Sequence, residues 1–232
     1  MRYRAVFFDA GETLVHPAPS FPELFARTVT EAGHPRTADQ IVDGLTMVSD
    51  EFARAAVEEE LWTTHPDRSR RFWVRVYERF LEALDIPAAN GLTDTLYGTF
   101  TTIENYEAFD DVVPTLRRLR DEGYVLGVIS NFEPWLEELL AHLSLDVLLP
   151  VRVISGLEGV EKPDPVIFRL ALERTGLPPD EVAYVGDIPD FDIVPTAALG
   201  MFPVLIDRRE RHPDHVGTRV TDLRVVPDVL DG

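Results

Sequence analysis

The chain has 232 residues, a length that fits one α/β domain or such a domain with a smaller insert. Hydrophobic residues make up 45% and charged residues 27%, an ordinary globular composition that excludes general disorder. Acidic residues outnumber basic ones 41 to 22, and the resulting charge of -19 disfavours binding to nucleic acid or to an anionic membrane surface. The absence of cysteine excludes disulfides, thiolate metal sites and cysteine nucleophiles.

The sequence has no stretch of about 18 uninterrupted apolar residues, and its start has only a short apolar run, AVFF. These features predict a soluble, cytoplasmic protein that has neither a membrane partner nor a nucleic-acid partner. They give no prediction of an oligomeric state.

The first predicted element is a buried strand over residues 3–8. The next part of the chain has helical patterns. Ser20 and Thr37 are each followed three residues later by Glu or Gln, which is the spacing of a helix capping box. Apolar residues then recur at helical intervals in two sets, Ile41, Leu45, Val48 and Phe52, and Phe72, Val76 and Phe80. No strand pattern is convincing here, and we predict a helical insert over residues 16–105.

Strand and helix patterns alternate after the insert. Predicted strands cover residues 124–130, 151–154, 182–185 and 202–206, and predicted helices include 136–145, 165–175 and 193–199. Apolar strands in this alternation predict a mostly parallel sheet covered by helices on both faces. The predicted fold class is therefore a doubly wound, Rossmann-like α/β core, formed by residues 1–15 and 106–232, with an inserted α-helical domain.

Polar residues with complementary chemistry lie at or beyond the ends of four of the predicted strands. Asp9 follows the first, and Ser130 is the last residue of the second. Lys162 lies beyond the third, and Asp187 begins an acidic cluster after the fourth. Each residue alone is typical of a turn, a helix cap or a solvated surface. At one edge of a sheet, where such folds gather functional groups, the four together suit phosphoryl transfer assisted by Mg²⁺.

These residues lie in four short segments, FFDAGETL, VISN, EKPDPVIF and YVGDIPDFD. In order and spacing the segments resemble the four motifs of the haloacid dehalogenase-like (HAD) hydrolase superfamily. The match extends from residue 7 to residue 192, and its most specific parts are EKPDPVIF and VGDxxxxD. The predicted insert lies where some members of this superfamily carry a helical cap after the first motif.

The resemblance implies a role for each matched residue at a phosphoryl group. Asp9 would be the nucleophile and would form an aspartyl-phosphate. Ser130 and the backbone of Asn131 would bind the phosphoryl oxygens, and Lys162 would neutralise charge there and on the nucleophile. Thr13 would hydrogen-bond near the nucleophile and shape its turn.

The resemblance also implies a Mg²⁺ site. Its ligands would be Asp9, the backbone carbonyl of Gly11, and Asp187. Asp192 would support the metal shell or orient Lys162.

One position departs from the family pattern. Phosphatases of the superfamily usually read DxDGT, and the second aspartate protonates the leaving oxygen. In this chain Gly11 replaces that aspartate, and general acid–base help of this kind is worth about 10²–10⁴ in rate. Three explanations are open: another residue supplies the proton, the substrate has a good leaving group such as an acyl phosphate, or the protein binds a phosphate ligand with little turnover. The candidate donors are Glu12, His16, Glu133 and Glu161.

We therefore predict a Mg²⁺-dependent phosphatase that acts on a small phosphorylated metabolite through Asp9. The alternative is a phosphate-ligand binding or regulatory protein. A 2-haloacid dehalogenase fits less well, because that branch lacks the metal-binding aspartate that this chain keeps at Asp187. The aromatic residues of the insert are predicted to pack inward and its arginines to be solvated. A basic surface loop is predicted for Arg208, Arg209 and Arg211.

Overall fold

The structure, a computed structural model, describes residues 2–44, 54 and 61–231. The chain divides into two compact units, one formed by Met1–Val15 with Ala108–Gly232 and the other by His16–Glu107. The helical spacing predicted for residues 45, 48 and 52 lies outside the described residues.

The strands and helices of the described residues are as follows. The strands are β1 (Ala5–Phe8), β2 (Val15–Pro17), β3 (Tyr106–Ala108), β4 (Val125–Ser130), β5 (Val151–Ile154), β6 (Val182–Gly186), β7 (Phe202–Ile206) and β8 (Arg219–Val220). The α-helices are α1 (Phe21–Glu31), α2 (Ala38–Asp43), α3 (Pro66–Ala83), α4 (Leu92–Phe100), α5 (Val112–Asp121), α6 (Leu136–His142), α7 (Ser155–Glu158), α8 (Pro165–Thr175), α9 (Val194–Ala198) and α10 (Val226–Asp231).

A six-stranded sheet with the order β5-β4-β1-β6-β7-β8 forms the centre of the first unit. Each neighbouring pair of strands in it is parallel. Strand β1 lies in the middle, and the chain adds β4 and β5 on one side of it before returning to add β6, β7 and β8 on the other. This doubly wound order confirms the predicted fold class. In such sheets the ligand site lies beyond the carboxyl ends of the strands, where the order reverses.

The central strands are buried on both faces. Phe7 and Tyr184 share one hydrophobic cluster with Phe168 of α8, and the rings of Phe168 and Tyr184 meet edge to face at 5.3 Å. Val6 and Phe8, which point to the opposite face of β1, have no exposed surface. Helices therefore cover the sheet on both sides, as the continuous apolar strands predict.

The second unit is helical, and its helices begin where the capping patterns predict. The hydroxyl of Ser20 accepts a hydrogen bond from the backbone N–H of Glu23, and Thr37 forms a complete capping box with Gln40. Phe25 and Phe80 meet edge to face at 4.7 Å in the core of α1, α2, α3 and α4. The predicted inward packing of aromatic residues is confirmed for Trp62, Phe72 and Tyr77, and the predicted solvation of arginines for Arg68, Arg70 and Arg71.

Several short elements differ from the sequence prediction or were absent from it. The insert was expected to lack strands, but β2 extends to residue 17 and pairs with β3 in a two-stranded sheet. Strand β8 and helix α10 were not predicted, because two and six residues are too few to show a period.

In the part of the chain that the structure describes, no helix is long and apolar enough to cross a membrane.

Candidate active site at the carboxyl edge of the sheet

Asp9 is the first residue after β1 and lies at the carboxyl edge of the sheet. Its backbone N–H donates to the carbonyl of Val185 at 2.8 Å, which fixes it between β1 and β6. The Oδ1 atom accepts hydrogen bonds from Ser130 Oγ at 2.9 Å and from Lys162 Nζ at 2.6 Å. The side chain is 10% exposed. A carboxylate that is held from two sides and still reaches solvent is suited to attack a bound electrophile.

The turn after Asp9 is held by its own backbone. Leu14 and Val15 both donate to the carbonyl of Ala10, and Glu12 donates to the carbonyl of Val15. Glu12 has a φ of 54°, in the left-handed region that favours glycine. The family pattern has glycine at this position. In this chain the residue is glutamate, and its backbone still adopts the left-handed conformation that favours glycine.

Gly11 and Thr13 differ in their surroundings within this turn. A Cβ atom built on Gly11 would meet nothing within 4 Å, so the position of the missing aspartate is open space. Thr13 has no exposed surface, and among the described residues its Oγ1 atom has no hydrogen-bond partner. A buried hydroxyl without a partner is costly and points to a partner that arrives with a ligand or a solvent molecule.

Asn131 links the end of β4 to the loop that carries Lys162. Its Nδ2 atom donates to the carbonyl of Lys162 at 2.8 Å, and its Oδ1 atom accepts from the Lys162 backbone N–H at 2.6 Å. This reciprocal pair fixes the backbone of Lys162 beside the end of β4. The resemblance implies a role only for the Asn131 backbone, and the structure adds this side-chain function.

The Lys162 ammonium group lies at the centre of a buried network. Nζ donates to Asp9 and to Asp192, both at 2.6 Å, and it lies 3.2 Å from the hydroxyl of Tyr184. Burial alone would lower the pKa of Lys162, but the charges of the two carboxylates outweigh it and raise the pKa above its usual value. Lys162 is therefore charged in the folded protein. It is also the only lysine in the chain, because the other 21 of the 22 basic residues are arginines.

Asp192 uses both of its oxygens within the protein. Oδ1 accepts from Lys162 and from the hydroxyl of Tyr184 at 2.8 Å, and Oδ2 accepts from the backbone N–H of Ile188 at 3.0 Å. Gly186 permits this placement, because a Cβ atom there would lie 2.4 Å from Asp192 Cγ. These bonds favour the orienting role for Asp192 over direct contact with a metal.

Acidic side chains crowd one part of the site. Burial, followed by the charges of Asp9 and Asp192, raises the pKa of Asp187 well above its usual value, and Glu12 adds to the effect. Burial also raises the pKa of Asp9, although Lys162 partly opposes the change. Excess negative charge of this kind is relieved by a cation.

The donor set at this position fits Mg²⁺. No group of three or more acidic or histidine side chains is arranged to hold a metal alone within the described ranges. Mg²⁺ does not need such a group, because it is usually bound through one or two carboxylates together with waters and substrate phosphate. Asp9, Asp187 and the Gly11 carbonyl would supply that number of protein ligands.

The four candidate proton donors lie in different surroundings in the structure. The Glu12 carboxylate is paired with Arg209 at 2.8 Å. Glu161 is buried and Glu133 is partly buried, both in the first unit. His16 belongs to the second unit, where its Nδ1 atom lies 2.9 Å from the Pro17 carbonyl.

Two functional features were missed by the sequence analysis. Tyr184 lies within an apolar predicted strand and was not singled out, yet its hydroxyl contacts both Lys162 and Asp192. The basic loop was expected on the surface, which holds for Arg209 and Arg211 but is wrong for Arg208. The Arg208 side chain is 14% exposed, because it pairs with a buried aspartate.

Comparison with known proteins agrees with this fold. The family model described as haloacid dehalogenase-like hydrolase matches residues 3–200, so the chain belongs to the haloacid dehalogenase-like hydrolases. It is therefore a hydrolase of the HAD superfamily.

Particular relatives cover most of the chain. Haloacid dehalogenase-like hydrolase domain-containing protein 3 of Danio rerio is 29% identical, and the match covers 92% of this chain and 88% of the relative. Glyceraldehyde 3-phosphate phosphatase of Methanopyrus kandleri is 32% identical, and the match covers 91% and 86%. The solved structure of the putative HAD-hydrolase YfnB from Bacillus subtilis, bound to magnesium, has a TM-score of 0.80 over the whole of both chains at 18% identity. This last likeness shows the fold.

Proposed function

We propose that this hydrolase is a Mg²⁺-dependent phosphatase that acts on a small phosphorylated metabolite through an aspartyl-phosphate on Asp9. The observation that carries the proposal is the convergence on Asp9 Oδ1 of the Ser130 hydroxyl and the Lys162 ammonium. A carboxylate, a hydroxyl and a buried cation at one point match the needs of a phosphoryl group that accepts a nucleophile.

In the first step, an oxygen of Asp9 attacks phosphorus and the bond from phosphorus to the substrate oxygen breaks. Ser130 and Lys162 bind the phosphoryl oxygens, and Thr13 Oγ1 is available as a further donor from the turn. Bound Mg²⁺ would offset the charge of those oxygens from the side of Asp187. In the second step, water attacks the aspartyl-phosphate, and phosphate and the free carboxylate result.

The open space at Gly11 limits the first step. No side chain at this position can protonate the leaving oxygen. The leaving group must therefore either depart as an anion or take its proton from another donor. We therefore propose that the protein hydrolyses substrates with good leaving groups, such as acyl phosphates, faster than ordinary alkyl phosphates. We also propose that the unit His16–Glu107 serves as the helical cap of the family.

The names of the relatives favour a small phosphorylated substrate. One relative is called a glyceraldehyde 3-phosphate phosphatase, and a relative from Thermus thermophilus that is 34% identical over 131 residues is called a phosphoserine phosphatase. Both names describe phosphate esters of small metabolites, and we propose the same class for this chain.

The test is phosphate release from p-nitrophenyl phosphate, acetyl phosphate, glyceraldehyde 3-phosphate, phosphoserine and several sugar phosphates, each with Mg²⁺ and with EDTA. Release that requires Mg²⁺ and is abolished by Asp9→Asn is the expected result. Asp190→Asn is the matched control, because Asp190 is an exposed carboxylate near the same edge. Release that persists in Asp9→Asn would reject the aspartyl-phosphate, and release of halide from 2-chloropropionate without Mg²⁺ would favour a dehalogenase.

The alternative function is phosphate-ligand binding with little turnover, and the open space at Gly11 is the observation that favours it. This alternative predicts that phosphate or a phosphate ester raises the melting temperature while no phosphate is released from any substrate. The same preparations and the same substrates distinguish the two functions.

A further inference from the structure

Arg208 makes a fixed set of contacts two residues after β7. Its Nη1 and Nη2 atoms donate to the two oxygens of Asp111 at 2.8 and 2.9 Å, and Nη2 also donates to the carbonyl of Thr13 at 2.8 Å. The guanidinium carbon lies 3.8 Å from the centre of the Phe109 ring. A planar guanidinium that is bidentate on one side and stacked on a ring has little freedom to move.

The partner of Arg208 is equally constrained. Asp111 is 3% exposed, and its Oδ2 atom also accepts a hydrogen bond from the backbone N–H of Leu223 at 2.8 Å. Asp111 therefore anchors the arginine to the start of α5 and to the C-terminal segment. The position of Arg208 is set by the core of the first unit.

The contact with Thr13 reaches the turn that follows the nucleophile. Thr13 lies two residues after Gly11 and four after Asp9, in a turn whose own backbone bonds join Glu12, Leu14 and Val15 to other residues of the turn. The neighbouring Leu14 carbonyl accepts from the backbone N–H of Phe109 at 3.2 Å. Two adjacent carbonyls of the turn, those of Thr13 and Leu14, thus accept hydrogen bonds from the rest of the core.

The next residue in the loop contacts the same turn. Arg209 Nη2 lies 2.8 Å from the carboxylate of Glu12, the residue in the left-handed conformation. Both partners of this pair are exposed, so it contributes little to stability. Two consecutive arginines therefore contact two consecutive residues of the turn. Arg208 donates to the buried carbonyl of Thr13, and Arg209 pairs with the side chain of Glu12.

We propose that Arg208 is a positioning residue for the active site, which holds the turn Ala10–Val15 so that Asp9 and the Gly11 carbonyl keep their places. This inference rests on the proposed phosphatase function for its effect on catalysis, while its effect on the turn is independent of activity. Small displacements of a nucleophile lower the rate strongly, by about 10²-fold for about 1 Å. Loss of the hydrogen bond from Arg208 to the Thr13 carbonyl lowers kcat and leaves substrate binding by Ser130 and Lys162 largely unchanged.

The test uses Arg208→Lys in the full chain. Lysine keeps the positive charge beside Asp111. One ammonium group cannot, however, reproduce the planar guanidinium that donates to both Asp111 and the Thr13 carbonyl. Hydrogen–deuterium exchange of the peptide covering residues 9–15 reads the turn directly, because the backbone N–H groups of Glu12, Leu14 and Val15 are hydrogen-bonded within it. We expect their exchange to accelerate by about tenfold or more. In steady-state assays with p-nitrophenyl phosphate we expect kcat to fall by about 10- to 100-fold at similar KM.

Arg219→Lys is the matched control. Arg219 forms a comparable pair with Asp207, which is buried and accepts from the backbone N–H groups of Arg211 and His212, and Arg219 has no bond to the turn. We expect normal exchange over residues 9–15 and normal kcat in this variant. Asp111→Asn is a second probe, because it weakens the anchor of Arg208 and leaves the arginine in place.

The outcomes separate this inference from the proposed function. Unchanged hydrogen–deuterium exchange of residues 9–15 in Arg208→Lys would reject the claim that Arg208 holds the turn, whether or not the enzyme is active. Faster exchange with an unchanged kcat in an active enzyme would overturn its role in catalysis, and an equal loss in Arg219→Lys would assign the effect to the loop as a whole. An inactive wild-type protein would reject the proposed function, and the exchange measurement would still decide whether Arg208 holds the turn.

Discussion

Lys162 Nζ lies 2.6 Å from Oδ1 of Asp9, although 153 positions separate the two residues in the chain. Their side chains are 4% and 10% exposed, so the ion pair is formed in a largely buried environment. A lysine is used here in a chain whose other 21 basic residues are arginines. A compact ammonium group can approach a carboxylate and a phosphoryl oxygen at one point, whereas the larger guanidinium cannot occupy the same space.

The first prediction is that neither methionine nor arginine can replace Lys162. Lys162→Met leaves the buried carboxylates of Asp9 and Asp192 without their cation, and we expect a loss of about 3–5 kcal/mol in the free energy of unfolding. Lys162→Arg keeps the charge, and we expect a smaller loss of stability but an equally inactive protein. Urea denaturation measures the first effect and phosphate release the second. Substantial activity in Lys162→Arg would contradict the requirement for an ammonium group.

The second prediction is a gain of activity in Gly11→Asp. A Cβ atom at Gly11 meets nothing within 4 Å, and its φ lies outside the left-handed region, so aspartate fits without strain. If the missing general acid limits turnover, we expect kcat for sugar phosphates to rise by about 10²-fold, with little change for acetyl phosphate. Gly98→Asp is the control, since that glycine has equally open surroundings in α4. Equal rates for Gly11→Asp and the wild type on sugar phosphates would show that another residue already donates the proton.

The third prediction concerns removal of the metal and of Asp187. Burial and the charges of Asp9 and Asp192 raise the pKa of Asp187, so its ionised form opposes folding at neutral pH when no cation is bound. In EDTA we expect Asp187→Asn to raise the melting temperature by about 2–4 °C, the shift that about 1 kcal/mol produces in a chain of this size. Mg²⁺ should raise the melting temperature of the wild type and not that of the variant. Equal stabilisation of both proteins by Mg²⁺ would exclude Asp187 as a ligand.

The fourth prediction is a pH dependence that arises from Asp111. Burial alone would raise its pKa, but hydrogen bonds from Arg208 and from the Leu223 backbone outweigh burial and lower the pKa. A lowered pKa means that Asp111 contributes stability above about pH 3.8, and that this contribution is lost as the pH falls below that value. We expect Asp111→Asn to cost about 1.5–3 kcal/mol at pH 7.

The measurement for Asp111 is urea denaturation from pH 7 to pH 2.5. The difference between the wild type and Asp111→Asn should shrink as the carboxylate is protonated. Asp121→Asn serves as the control, because Asp121 is 70% exposed and forms an exposed ion pair with the neighbouring Arg120. A difference that stays constant over this range would show that the ionised state of Asp111 is not what stabilises the fold.

Much of the site geometry could be predicted from sequence because parallel strands end at one edge. Asp9 follows β1 and Ser130 is the last residue of β4, and the strand order places these two strands side by side. Their contact at 2.9 Å follows from these two facts. The helix Pro165–Thr175 has the predicted bounds, and in the structure Asp164 caps its start and Gly176 ends it in a left-handed conformation.

Other contacts could not be predicted, because no local pattern records them. Tyr184 lies in an apolar strand and reads as core, and its bond to Asp192 depends on the π-helical turn Pro189–Ile193. Arg208 reads as surface, because its partners Asp111 and Thr13 are 97 and 195 positions away in the chain. In both cases a polar side chain finds its partner through tertiary structure alone.

The burial of Lys162 gives the folded chain an unusual surface chemistry. The chain has one lysine, and that lysine is 4% exposed, so apart from the α-amino group the native protein offers almost no amine to solvent. An amine-reactive label should therefore modify residue 162 only when the core of the first unit opens. The rate of that labelling would report local unfolding at the nucleophile without any engineered probe.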